Sequence, residues 1–177
     1  MGGAMSEPRI AIRLNHVAYP TFDTPATVRF YTEVMGFRLV AALEAESEPE
    51  DGSRRRFLHT FFAMESGEII AFFEVDGLEP PAPDRLPRWI RHLALSVDSK
   101  DTLAAWQQRL ERHGVRVTGP VNHDDTWLSI YFGDPNGVTL ELTYQSRALD
   151  DEDARRAATV VAQWSATHRR EATTRAR

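Results

Sequence analysis

The chain has 177 residues, of which 42% are hydrophobic and 27% charged, as expected for a compact domain or two small fused modules. Its formal net charge is -5, which argues against nucleic-acid binding, because that function needs a basic face. Cysteine is absent, so disulfides, thiolate metal sites and cysteine nucleophiles are excluded. Any bound metal must therefore be held by histidine and carboxylate side chains.

No apolar run approaches the roughly 18 residues that a membrane-spanning helix requires. The first residues also lack the basic and apolar regions of a secretory signal. The sequence therefore predicts a cytoplasmic protein without a membrane partner.

The first half of the chain predicts the order strand, helix, strand, strand, strand. Thr24 is predicted as the N-cap of a helix with Pro25 in its first turn, and Gly36 is typical of a helix end. Ser66-Gly67 predicts a tight turn between the last two strands. The expected segments are a disordered lead over 1–9, strands over 10–19, 37–44, 57–64 and 68–75, a helix from 24, and a charged loop over 44–56.

The second half repeats this order after a linker that contains four prolines. Ser99 is predicted to cap a helix that ends at Gly114. The expected strands are 90–97, 115–118, 127–132 and 138–144, with a polar loop at 122–126 and a final helix over about 149–170. The predicted units are a module over 10–76, a linker over 77–89, a module over 90–145, and a helix and tail over 146–177.

The two halves also share sequence, which predicts an α+β fold of tandem β-α-β-β-β modules forming a cup-shaped mixed sheet. The hairpin 129–144 has an imperfect copy at 61–74, with an aromatic pair, a glycine and a following strand. Glu141 stands where the copy has Ala71. A carboxylate kept in one half indicates a single, asymmetric site.

The alternation of side chains places Glu141 on the face that corresponds to Ala71 and Phe73 upstream. That upstream face is too apolar for a solvated surface, so Glu141 is predicted to face a concavity. Glu74, the nearest other acidic residue in the copy, falls on the opposite face and is not a candidate.

His16 and His92 occupy matching places in the opening strands of the two modules. A lone strand histidine is more often a packed core residue than a ligand. Two at repeat-related positions, together with Glu141, indicate the two-histidine, one-carboxylate set of nonhaem Fe(II) oxygenases.

Several of these segments together resemble the vicinal oxygen chelate superfamily, which includes glyoxalase I, extradiol dioxygenases, fosfomycin-resistance enzymes and bleomycin-binding proteins. The resemblance covers about residues 10–145 and implies a divalent metal on His16, His92 and Glu141. Fe(II) is expected, with Mn, Ni, Co and Zn as alternatives. The segments that carry it are the tandem repeat, Leu14-Asn15-His16-Val17, Arg91-His92-Leu93-Ala94-Leu95, and Ile130-Tyr131-Phe132 through Asp134-Pro135-Asn136-Gly137 to Leu140-Glu141-Leu142.

The resemblance also implies catalytic candidates. Glyoxalase I and methylmalonyl-CoA epimerase use a fourth ligand at the position of Ala71, whose methyl group cannot coordinate a metal. Extradiol dioxygenases have a pocket tyrosine that matches Tyr131 and often a loop histidine near His123. Their acid-base histidine has no counterpart, and His59 is a possible substitute. Alternatively, Tyr131 is a core aromatic residue, His123 a solvated loop residue and His59 a cavity wall.

The leading hypothesis is an extradiol ring-cleavage dioxygenase acting on a small, catechol-like substrate. One alternative is a glyoxalase-like lyase or isomerase, or a thiol transferase. Another is a non-catalytic protein that binds a small molecule such as an antibiotic. Members of the superfamily commonly pair or exchange modules between chains, so a homodimer is expected, with the C-terminal helix as a contact surface.

Overall fold

The computed structural model describes residues 13–47, 54–82 and 86–175, and it leaves the side chains of 88 and 168–175 undescribed. The predicted lead over 1–9 lies outside these ranges. The strands are β1 (His16–Pro20), β2 (Arg38–Ser47), β3 (Arg55–Ala63), β4 (Ile69–Val75), β5 (Leu93–Val97), β6 (Thr118–His123), β7 (Trp127–Gly133) and β8 (Thr139–Gln145), and the helices are α1 (Thr24–Arg29, continuing as a π-helical turn Phe30–Val34), α2 (Lys100–Arg112) and α3 (Asp151–Arg175), with a 3₁₀ turn at Arg88–Ile90.

The strands form two four-stranded mixed sheets with the same topology. Their orders are β1-β4-β3-β2 and β5-β8-β7-β6. The β1–β4 and β5–β8 pairs are parallel, and the other pairs are antiparallel. The predicted α+β class, tandem repeat and C-terminal helix are confirmed, although the strands form two sheets and not one continuous sheet.

The register confirms how the two halves correspond. Ala71 lies opposite Ala18 in the first sheet, and Glu141 lies opposite Ala94 in the second. His16 and His92 each stand two residues before those alanines. Gly36 and Gly114 end their helical segments with φ near +74° and +73°, a conformation that glycine adopts without a steric penalty. The repeat therefore extends to backbone conformation.

Both sheets share one core. The helix-facing residues of the first sheet and those of the second belong to a single buried cluster. Full burial of each large side chain stabilises the fold by about 1.5–3 kcal/mol. The cluster comprises Phe30, Tyr31, Met35, Phe62, Ile70, Phe72, Leu95, Leu103, Leu110, Ile130, Phe132, Leu140 and Leu142.

Several predicted boundaries were wrong. Of the predicted strand 115–118, only Thr118 belongs to β6, since the Val115 amide still bonds to the Leu110 carbonyl at the helix end. β6 runs through Gly119-Pro120, which is tolerated because β6 is an edge strand with a register shift there. The strand predicted from 90 begins at Leu93, and β2 and β3 extend into the loop predicted over 44–56.

The helix starts are capped by side chains. Ser99 Oγ accepts a hydrogen bond from the Thr102 amide at 3.0 Å, as predicted. In α1 the cap is Asp23 and not Thr24, because Asp23 Oδ1 accepts from the Ala26 amide at 2.9 Å. None of the helices in the described part of the chain is long and apolar enough to cross a bilayer.

Candidate functional site

The centre of the candidate site is a histidine–carboxylate pair on the second sheet. His92 immediately precedes β5, and Glu141 lies in the middle of β8, the strand next to β5. Their side chains meet with His92 Nε2 2.8 Å from Glu141 Oε2. Glu141 is only 6% exposed. A buried carboxylate requires a compensating partner, and His92 occupies that position.

The other ring nitrogen of His92 is also engaged. Nδ1 lies 3.1 Å from the carbonyl oxygen of Trp89, which can only accept, so Nδ1 donates the hydrogen. In a neutral ring Nε2 then carries a lone pair and faces the carboxylate oxygen. Two acceptors at this distance need a proton or a cation between them. Metal-binding histidines typically donate their second N–H to such an oxygen, so the pair suits a cation.

Tyr131 and His123 extend this pair towards solvent. Tyr131 lies directly opposite Glu141 in the β7–β8 register. Its hydroxyl is 2.9 Å from His123 Nε2. Burial raises the pKa of Tyr131 above its ordinary value, and the negative charge of Glu141 raises that pKa further. The structure thus brings together four of the six candidate residues: His92, His123, Tyr131 and Glu141.

These side chains line two cavities that share His92, His123 and Tyr131. The smaller, of about 310 Å³, contains Glu141 and is also lined by Trp127. The larger, of about 1130 Å³, is predominantly apolar and includes Trp89. The predicted concavity around Glu141 is therefore present, and it is wide enough for a small-molecule ligand.

His16 lies on the first sheet, away from this pair. It is the exposed first residue of β1, and its Nδ1 is 2.7 Å from Asn15 Oδ1. Its ring contacts Phe61, with centroids 6.2 Å apart. Among the described residues, no three histidine, aspartate or glutamate side chains are grouped closely enough to hold a metal. Within one chain, two of the three predicted ligands, His92 and Glu141, are in contact.

His59 also lies on the first sheet, on the face predicted for it. Its ring stacks on Phe73 at 3.5 Å with an interplanar angle of 9°, and it contacts Phe61 at 4.0 Å. His59 Nδ1 donates to the Phe72 carbonyl at 3.0 Å, which leaves Nε2 as the basic nitrogen. The side chain is only 8% exposed. His59 shares its face with His16 and not with the His92–Glu141 pair.

Two further positions agree with the expected strand faces. Ala71 is fully buried opposite Phe61, so the place equivalent to Glu141 is filled by a methyl group. Glu74 points to the other face, where its carboxylate accepts a hydrogen bond from the Thr24 amide at 2.9 Å. It therefore belongs to the start of α1.

Sequence reasoning missed two residues of the site. Trp89 falls in the predicted linker, but its carbonyl orients His92 and its 73% exposed side chain lines the larger cavity. Trp127 is predicted only as a strand residue, yet it lines the smaller cavity. For Trp89, the proline two residues before it indicates a short turn that leads to His92.

The sequence model of the glyoxalase/bleomycin resistance protein/dioxygenase superfamily matches residues 13–142, most of this structure. The chain belongs to that superfamily. This result confirms the family resemblance identified from the repeat and the motifs.

Three proteins illustrate where the chain stands within the superfamily. It is 29% identical over 158 residues to an iron-dependent extradiol dioxygenase of Rhodococcus jostii (strain RHA1), covering 85% of this chain and 49% of that protein. It is 27% identical over 138 residues to a biphenyl-2,3-diol 1,2-dioxygenase of Paraburkholderia xenovorans (strain LB400), covering 77% and 42%. The chain thus spans about half the length of these curated relatives.

A solved structure represents a different activity on the same fold. TnmS3, an antibiotic-binding protein from Streptomyces sp. CB03234, is 28% identical, with a TM-score of 0.52 over 78% of this chain and all of that one. The superfamily relatives of this chain therefore include both dioxygenases and a binding protein.

Proposed function

We propose that this chain is a metal-dependent enzyme of extradiol ring-cleavage type that acts on a small, catechol-like substrate. The observation that carries the proposal is the His92–Glu141 pair, with His92 Nδ1 held by the Trp89 carbonyl and Nε2 directed at a buried carboxylate. The similarity to two extradiol dioxygenases supports the reaction type.

The donor set fits a divalent cation. His92 and Glu141 would hold the metal through an imidazole nitrogen and a carboxylate, and Fe(II) is our first choice. His16, the third ligand that the family resemblance implies, lies on the first sheet, apart from this pair. The Nδ1 of His16 donates to Asn15, which leaves its Nε2 as the nitrogen with the lone pair. When bound, the metal would supply Lewis acidity for a vicinal diol and redox capacity for dioxygen chemistry.

The protein's own groups would handle the proton of the substrate. Tyr131 stands between Glu141 and His123, so its hydroxyl can bond to a substrate oxygen and exchange a proton with the exposed His123. His59, the other acid-base candidate, has its basic Nε2 defined by the Nδ1 contact with Phe72, but it lies on the first sheet, apart from Tyr131.

The aromatic side chains beside the pair favour a ring-shaped substrate. Trp89 and Phe132 line the larger cavity, and Trp127 lines the smaller one. Such a wall would pack against an aromatic ring by offset or edge contacts. A glyoxalase-type reaction has less support, because buried Ala71 provides no fourth ligand.

We expect the protein loaded anaerobically with Fe(II) to consume oxygen when it is mixed with members of a catechol panel. The measurement is oxygen uptake together with the visible absorbance of a ring-cleaved product. Uptake should be stoichiometric with diol loss and absent with resorcinol-type isomers, which lack adjacent hydroxyls. Tight binding of a ring compound without turnover, with or without metal, would instead favour an antibiotic-binding role like that of TnmS3.

Tyr131→Phe is expected to lower kcat by about 100-fold or more while metal content stays unchanged, since positioned acid-base groups contribute about 10²–10⁴. Tyr144→Phe is the matched control. Tyr144 lies on the same strand as Glu141, but its strand partner is Leu128 and it occupies the opposite face. Equal effects of both substitutions on kcat would argue against a role for the Tyr131 hydroxyl.

A further inference from the structure

The larger cavity extends beyond the His92–Glu141 pair, and the proposed reaction uses only one end of it. His92, Tyr131 and Trp89 line this near end, whereas the far end lies past the last residues of β7 and includes Arg116. Cavities of about 300–1,000 Å³ hold drug-sized ligands. The volume of about 1130 Å³ therefore leaves room for more than a single catechol ring.

The strand register shows on which side of Tyr131 the far end lies. Thr118, the first residue of β6, pairs with Tyr131 in an antiparallel register. Residues before Thr118 therefore approach the residues that follow Tyr131, so Arg116 lies towards Gly133 and away from His123. Gly133 is two residues beyond Tyr131, a distance of about 7 Å along a strand. The far end is thus within reach of a short substituent on a ring held at Tyr131.

Arg116 has no structural role that would occupy its charge. Its side chain is exposed, and it makes no hydrogen bond or ion pair with any other residue in the described part of the chain. The neighbouring end of α2 does not need it as a cap, because the amides of His113, Gly114 and Val115 already bond to the last carbonyls of that helix. The guanidinium is therefore available to a ligand.

The acidic residue at the far end does not neutralise Arg116. Asp134 is the one carboxylate among the described residues that line the larger cavity, and it is only 8% exposed. Its Oδ1 accepts bonds from the Asn136 and Val138 amides, both at 2.8 Å, and its Oδ2 accepts from the Tyr31 hydroxyl. The carboxylate is thus directed into the packing between the modules, and the charge presented to a ligand at this end is positive.

Gly133 keeps the path between the two ends open. It shares a strand face with Tyr131, and it pairs with Thr139, which also lines the larger cavity. A methyl group in place of the Gly133 hydrogen would meet no atom of a non-adjacent residue within 4 Å. The missing side chain therefore leaves space in the cavity wall between Tyr131 and Arg116.

We propose that Arg116 binds a carboxylate on a side arm of the substrate and selects for that charge. A guanidinium matches a carboxylate through two parallel N–H donors, and the apolar walls suit the arm. The substrate class is a catechol-like ring with a short, carboxylate-bearing substituent. The inference rests on the proposed function for the two adjacent ring hydroxyls, whereas the charged arm can be tested without them.

A matched pair of ligands tests the selection for charge. We would titrate 3-(2,3-dihydroxyphenyl)propionate and its carboxamide, which has the same shape without the charge, into the anaerobic protein and follow tryptophan fluorescence. Wild type should bind the acid about 10-fold more tightly, the effect of a hydrogen bond to a charged group. Arg116→Gln should bind the two equally. Equal affinities in wild type, or a preference that survives in Arg116→Gln, would overturn the proposal.

Arg112→Gln is the matched control for charge. Arg112 is an exposed arginine in the last turn of α2, and it does not line the larger cavity. Its substitution removes the same charge from the same region and should preserve the preference for the acid. If Arg112→Gln reduces the preference as much as Arg116→Gln does, the preference reflects overall charge, and Arg116 is not the selecting residue.

Gly133→Leu tests the path of the arm. Gly133 lies in a strand without a positive φ, so the backbone accepts a side chain there. Leucine would obstruct the space between Tyr131 and Arg116, and the affinity for the acid relative to unsubstituted catechol should fall by about 10-fold. A ratio equal to that of wild type would mean that the arm does not pass Gly133 and would contradict the proposed placement.

Ligands without hydroxyls separate this inference from the proposed reaction. 3-Phenylpropionate should bind to the metal-free protein more tightly than its carboxamide, and Arg116→Gln should remove the difference. That result, combined with no oxygen uptake on any catechol, would refute the proposed function and retain the carboxylate site. Oxygen uptake with the same KM for the dihydroxyphenyl acid and its carboxamide would retain the reaction and refute the carboxylate site.

Discussion

Glu141→Gln is expected to weaken metal binding by more than about 100-fold and to abolish detectable turnover. Loss of a residue that only hydrogen-bonds to a metal ligand already lowers metal affinity about 10- to 100-fold. Glu141 is itself a proposed ligand, and the only charged one. Glutamine keeps the size of the side chain but removes the carboxylate that faces His92 Nε2 at 2.8 Å. The measurement is a Co(II) titration followed by its visible spectrum, with circular dichroism to verify folding.

Glu74→Gln is the appropriate control for this experiment. Glu74 is also an acidic residue on the last strand of its module, but it faces α1 and accepts a bond from the Thr24 amide. Its substitution should cost about 1 kcal/mol of stability and leave metal affinity unchanged. If Glu141→Gln binds Co(II) as tightly as Glu74→Gln does, Glu141 is not a ligand.

The repeat was the most informative feature of the sequence. It predicted the order of elements in both modules, and it matched Ala71 to Glu141, which the strand registers confirm. The alternation of side chains also separated Glu141 from Glu74 correctly. These inferences succeeded because strand parity and repeat alignment are local properties that the backbone geometry preserves.

Other features depend on contacts that no local pattern records. The β6 boundary was wrong because Gly119-Pro120 indicates a break, whereas an edge strand tolerates a proline. The separation of His16 from His92 could not be predicted, since equivalence within a repeat does not specify which sheet faces meet. Likewise, Tyr31 and Asp134 are 103 residues apart in the chain, and only the packed modules bring them together.

This Tyr31–Asp134 contact joins the two modules and should be the most sensitive point of the core. Tyr31 is fully buried, and its ring packs on Phe62 and Phe72 with centroids 5.3 and 5.0 Å away. Tyr31→Ala should lower the free energy of unfolding by about 3–5 kcal/mol. Tyr31→Phe retains the ring but removes one of the two donors to Asp134 Oδ2, the other being the Asn136 side-chain amide. Its cost should be about 1.5–3 kcal/mol, as for a hydrogen bond to a charged group.

The cost of Tyr31→Phe should depend on pH. Burial raises the pKa of Asp134 in the folded protein, although the bonds from the Val138 and Asn136 amides and from Tyr31 oppose the rise. Because the pKa of Asp134 is higher in the folded than in the unfolded state, its protonation stabilises the fold. This contribution is fully present below the unfolded-state pKa, about 3.9, and is lost as the pH rises through the folded-state pKa. Without the Tyr31 donor the folded pKa rises further, so this loss becomes larger.

Denaturant unfolding of wild type, Tyr31→Phe and Tyr144→Phe at several pH values tests this reasoning. The difference between wild type and Tyr31→Phe should be small near pH 4 or below, about the unfolded pKa, and should increase towards neutral pH. Tyr144→Phe should have a difference that is small and independent of pH. A Tyr31→Phe cost that is constant across the range would mean that the hydroxyl does not stabilise the charged form of Asp134, and that the ring alone holds the modules together.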